Sequence, residues 1–146
     1  MASSSFCWFP PDRLPTAPLV EGRDRHDVVE ARLRAVLAAD PQITAIYSAG
    51  AGNAGLIRVI AALPADRPRP VIVLHELVAH NRAALEAGLI DIVIDQRPEE
   101  EITRTLALLR SLADRHPLPD APLIVPAIYI RENLPGTRAP SEGPAT

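Results

Sequence analysis

Two short runs constrain this chain more than anything else in it. Val71-Ile72-Val73-Leu74 is continuously apolar and stops at His75-Glu76, and Leu89-Ile90-Asp91-Ile92-Val93-Ile94 is nearly so and stops at Asp95-Gln96. A strand buried on both faces of a parallel sheet reads this way, because neither face needs polar residues. Such strands require long crossovers, and the segments around them have helical spacing.

From Asp27 to Ala39, Val29, Leu33, Val36 and Leu37 form one stripe of an amphipathic helix that Asp40-Pro41 stops. Ile43 to Tyr47 is short and β-prone. The glycine-rich turn Gly50 to Gly55 leads into a second helix carrying Leu56, Ile60 and Leu63, which the Pro64 to Pro70 loop ends. A short helix through Ala83 to Ala87 is closed by Gly88. Pro98, with Glu99, Glu100 and Glu101 beside it, starts the longest helix, which runs to about Arg115 with Ile102, Leu106, Leu109 and Ala113 on one face. Leu123 to Ile130 reads as a last strand, and Pro126 makes it an edge or bent segment. The order predicts an α/β fold, a parallel sheet flanked by helices with right-handed crossovers. Residues 1–18, rich in Ser and Pro, read as an irregular lead-in, and 136–146 as a disordered tail.

Composition removes several function classes. The chain has 146 residues, 47% of them hydrophobic, enough for one domain that buries roughly 70% of its unfolded surface without disulfides or a structural metal. Cys7 is the only cysteine, and no internal disulfide forms. A net charge of -3 gives no general attraction to nucleic acid or anionic membrane. No apolar stretch approaches the roughly 20 residues that span a bilayer, and the amino terminus lacks a basic leader region, so a cytoplasmic location is expected.

In open parallel sheets ligands bind beyond the carboxyl ends of the strands. Here those ends carry Ser48 to Asn53, then His75-Glu76 with His80-Asn81-Arg82, then Asp95-Gln96-Arg97. Neighbouring loops of this kind make a floor of amides and carboxylates, which suits a polyhydroxylated ligand whose hydroxyls each want a donor and an acceptor. Polar residues after strands also serve as turn formers and helix caps, and Asn53 is placed to cap the helix that follows. Gly50, Gly52 and Gly55 spell G-x-G-x-x-G between a strand and a helix, with Glu76 at the next strand end, so a dinucleotide-binding enzyme is the alternative. His75 and His80 are five apart and diverge by about 140° on a helix, so no metal site is expected. Ser48 lacks both the first glycine of a nucleophile elbow and a placed base, which argues against a hydrolase. No cofactor is expected.

The order of motifs resembles a known family. Ala45-Ile46-Tyr47 with its Gly/Asn loop, Val73-Leu74-His75-Glu76-Leu77 with His80 to Leu85, Ile92-Val93-Ile94-Asp95-Gln96 and the closing Ile128 to Pro135 are similar to the effector-binding domain of LacI/GalR-family transcription regulators. The likeness covers residues 19–135. It implies a type I periplasmic-binding-protein-like lobe, incomplete and mostly the carboxyl-terminal one, whose sugar effector is held by Asn53, Glu76 and Gln96, with His75 and Gly50 beside them. Members commonly carry Asn-Asp directly after the first strand and Asp rather than Glu after the second. They also carry a DNA-binding helix-turn-helix and an amino-terminal lobe that have no counterpart in this sequence. DNA is therefore expected as a partner only of a full-length relative, and a homodimer is a possible state of this chain. In the family the segment after the third strand enters the other lobe, which implies that the stripe Ile102, Leu106, Leu109 has too little to cover it.

Overall fold

The computed structural model describes residues 19–120 and 122–136. The lead-in with Cys7 and, apart from Gly136, the tail lie outside the described residues. The helices are α1 (His26–Ala39), α2 (Asn53–Ala61), α3 (Ala79–Glu86) and α4 (Pro98–Ala113); the strands are β1 (Ala45–Ser48), β2 (Val71–His75), β3 (Ile92–Asp95) and β4 (Ala127–Tyr129). They form one sheet in the order β1-β2-β3-β4. The first three strands are parallel, as expected, but β4 pairs antiparallel with β3.

Register assigns every strand residue to a face, since paired residues point the same way and neighbours along a strand alternate. One face carries Ile46, Ile72, Leu74, Val93 and Tyr129 and is covered by Leu33 and Leu37 of α1, Leu56, Val59 and Ile60 of α2, and Ala84 and Leu85 of α3. Ile72, Leu74 and Val93 are fully buried. The opposite face carries Tyr47, Val71, Val73, Ile92, Ile94 and Ile128, and no described element covers it: Val71 is 52% and Ile128 61% exposed. The expectation that the apolar run of β2 is buried on both sides is thus met on one side only.

Three element boundaries move for physical reasons. The last strand shrinks from Leu123–Ile130 to Ala127–Tyr129 because Pro126 has no N–H for the ladder, and Leu123 and Val125 stay exposed. The third strand begins at Ile92, not Leu89. Gly88 (φ +71°) ends α3 in a left-handed turn in which Gly88 N–H donates to Leu85 O and Leu89 N–H to Ala84 O, consuming the first residues of that run. Asp91, the one polar residue in the run, accepts from Ile72 N at 2.7 Å and from both terminal nitrogens of Arg69 at 2.8 and 2.6 Å, pinning the start of β2 to the start of β3. The third helix starts earlier than expected, at Ala79, because His80-Asn81-Arg82 belongs to its first turn and not to a loop.

The fourth helix begins at Pro98 with its acidic first turn, as the spacing indicates, and none of its residues is buried. Ile102, Leu106 and Leu109 are each more than half exposed. No helix among the described residues is long and apolar enough to cross a membrane.

Candidate functional site

Because β1, β2 and β3 run parallel, their carboxyl ends lie side by side, and the face not covered by helices brings Tyr47, His75 and Gln96 into one row. Gln96 Nε2 lies 3.2 Å from His75 Nδ1, and Tyr47 Oη 2.6 Å from His75 Nε2. His75 thus bridges the other two residues, with one ring nitrogen within hydrogen-bonding distance of Gln96 and the other within hydrogen-bonding distance of Tyr47. The Gln96 amide and the Tyr47 hydroxyl each make one contact to His75 and keep further hydrogen-bonding capacity for an external partner. Both nitrogens of His75 are already engaged. The Tyr47 and His75 rings meet edge to face, 5.4 Å apart at 88°.

Glu76 follows β2 directly in a left-handed conformation (φ +68°). Its N–H donates to Ile94 O at 2.9 Å, and Asn81 Nδ2 donates to both His75 O at 3.1 Å and Glu76 O at 2.8 Å. Asn81 is fully buried and holds this turn. It lies in the first turn of α3 and not in the expected loop, and Ala84 and Leu85 at i+3 and i+4 place it on the apolar stripe of that helix. Burial, and next the negative charge of Asp95, push the Glu76 carboxyl above the ordinary carboxylate range. The Glu76 carboxyl offers acceptor oxygens to the hydroxyls of a sugar.

Asn53 reaches the same strand ends from below but is only 5% exposed. Its Oδ1 accepts from Ser48 Oγ at 2.8 Å and its Nδ2 donates to His75 O at 3.4 Å, tying β1, β2 and the start of α2 together. It does not cap α2: that position is Gly52, and no side chain caps the helix. Gly50 is exposed beside Asn53, and a side chain there would meet only Asp24 Oδ1, at 3.6 Å. The structure thus gathers Gly50, Asn53, His75, Glu76 and Gln96 at one sheet edge, with Glu76 half-buried, Gln96 exposed and Asn53 beneath the surface.

The glycines of G-x-G-x-x-G have another explanation. A Cβ on Gly55 would lie 2.0 Å from His26 O, and one on Gly52 (φ +97°) 2.7 Å from Val29 Cγ2. Both let α1 press against the start of α2, so the glycines are accounted for by helix packing without a bound phosphate. Two shallow concavities lie elsewhere. One of about 200 Å³ opens between Leu37, Val59, Leu63 and Arg67, the other beside Ile102 and Leu106 on α4. Among the described residues no group of three or more His, Cys, Asp and Glu side chains is placed to hold a metal.

No protein-family model matches the chain, and no curated protein matches it. Solved structures do. GanP, a glucose-galactose binding protein from Geobacillus stearothermophilus, superposes with a TM-score of 0.68 at 16% identity, over 79% of this chain and 41% of that one. A chain of the XylFII–LytSN complex superposes with a TM-score of 0.64 at 18% identity, over 73% of this chain and 37% of its own. The chain therefore spans about two fifths of the length of either structure. At these identities the likeness is one of fold, and the fold is an α/β lobe of the periplasmic-binding-protein kind.

Proposed function

We propose that this chain is a sugar- or small-polyol-binding lobe, the effector-binding part of a LacI-type transcription regulator that acts in the cytoplasm, and that it binds its ligand without chemical change. The observation that carries the reading is the convergence of Gln96, His75, Glu76 and Asn53 at the carboxyl ends of three parallel strands, in a fold shared with a glucose-galactose binding protein. In this reading Gln96 and Glu76 meet the ligand's hydroxyls, Gly50 lies open at the rim, and Asn53 holds the floor together from below.

A ligand bound by one open edge forms fewer hydrogen bonds and loses less water than one enclosed between two lobes, so binding by this chain alone is weak, in the millimolar range. Thermal-shift measurements with monosaccharides, sugar alcohols and NAD(H) test the reading. A ligand at ten times its Kd adds about 1.4 kcal/mol to stability. Sugars also stabilise proteins non-specifically by exclusion from their surface, so the telling quantity is the difference between stereoisomers at equal concentration. Unequal shifts among stereoisomers support the reading. Equal shifts for all sugars, or stabilisation by NAD(H) alone, overturn it, the latter in favour of a dinucleotide site at Gly50, Gly52, Gly55 and Glu76.

A further inference from the structure

We infer that Tyr47 is the surface on which the ligand's ring rests, that His75 is its positioning residue, and that the site therefore takes a cyclic sugar or cyclitol in preference to an open-chain polyol. The inference rests on the sugar-binding reading and narrows it.

The ring of Tyr47 is 63% exposed on the sheet face that no described helix covers, at the level where the parallel strands end. An exposed tyrosine normally swings between rotamers, and ordering it on binding costs affinity. Here it is held before any ligand arrives: His75 Nε2 hydrogen-bonds its oxygen at 2.6 Å, and the His75 ring packs against it at 88°. His75 is itself oriented by Gln96 from the other side. The three residues come from three successive strand ends, so the sheet sets their spacing.

An aromatic face carries negative charge density and attracts the weakly positive C–H bonds of a saturated ring, the geometry by which edge and face groups associate. A pyranose or cyclitol presents such C–H groups together on one side and its hydroxyls around the rim, where the Tyr47 hydroxyl and the Gln96 amide each keep a further hydrogen-bonding site beyond the one His75 takes. An alditol has the hydroxyls but no fixed apolar face, and it must freeze several torsions to imitate one.

The test is an NMR titration of the full chain with glucose and galactose against sorbitol and galactitol, which carry the hydroxyl chemistry without the ring. In the wild-type chain the pyranoses should bind about fivefold more tightly than the alditols. Tyr47→Ala should lower pyranose affinity to the alditol level while leaving alditol affinity within twofold. Tyr47→Phe should retain most of the preference. His75→Phe, which keeps an aromatic ring but breaks both hydrogen bonds, should reduce the preference while the fold, followed by circular dichroism, stays intact. A general structural loss would weaken both ligand classes together and leave their ratio unchanged. Pyranose binding that survives Tyr47→Ala at wild-type strength overturns this inference alone. Equal binding of pyranoses and alditols by the wild-type chain does the same, and no binding of either class overturns the sugar reading with it.

Discussion

The two faces of the sheet have nearly the same composition and opposite fates. On the helix-covered face Ile72, Leu74 and Val93 touch no solvent, whereas on the other Tyr47, Val71 and Ile128 are more than half exposed. The same contrast holds between helices: α1, α2 and α3 each bury side chains in the core, and α4 buries none. Apolar pattern therefore records what a segment is shaped to pack against, and the described residues supply a partner for only half of it. The uncovered half matters because contiguous apolar surface drives association, and because the polar row of the candidate site runs along its upper margin.

The comparison breaks first if the covered face does not carry the stability. Leu74→Ala should cost about 2–5 kcal/mol in urea or thermal unfolding, the range for a fully buried leucine. Gly55→Ala should follow at about 1–3 kcal/mol, because a methyl group would collide with the His26 carbonyl and backbone cannot yield as a side chain can. Gly50→Ala, where a methyl group would make only an ordinary contact with Asp24 Oδ1, serves as the neutral control for stability.

Asp91 comes next. Its ion pair with Arg69 is about one-third exposed on each side, so replacing it by Ala should cost about 1 kcal/mol at neutral pH. The bond from Arg69, and next the bond from the Ile72 amide, hold its carboxyl below the ordinary range. A group whose folded pKa is depressed contributes its stability above the unfolded pKa and loses it as pH falls through the folded one. Wild type and Asp91→Ala should therefore differ at pH 7 and draw together as pH falls below the ordinary Asp value of about 3.9 and through the lower folded one. A constant difference across that range would remove the ion pair from the account.

The smallest effect on stability belongs to α4. Leu106→Glu should change unfolding by no more than about 0.5 kcal/mol, since the side chain is already 61% exposed. It should, however, reduce self-association, which wild type should show in sedimentation as concentration rises. A wild-type monomer of 15.7 kDa at every concentration, with Leu106→Glu unfolding the protein, would mean that the stripe is covered within the chain.

Most elements were legible because their signals are local. Stripes at helical spacing set α1, α2 and α4, Gly88 marked the end of α3, and the apolar runs marked β2 and β3. Boundaries slipped where a side chain's partner lies far along the chain. Asp91 reads as an interruption of a strand, yet it is a latch on Arg69 and Ile72, about twenty residues away. The site divides the same way. Glu76 and Gln96 could be named as candidates from their place after strands, but Tyr47 reads as an ordinary strand residue, because its place in the row depends on contact with a histidine 28 positions later.

By itself, then, the sequence determined the alternation of strands and helices, the class of fold and the edge of the sheet at which polar residues gather, since each follows from spacing along the chain. Only the tertiary structure decided which sheet face is covered, that β4 runs antiparallel, that Asn53 and Asn81 are buried ties, and that Tyr47, His75 and Gln96 form one row. These depend on the register between strands and the side on which each helix packs, which join residues that spacing along the chain keeps apart.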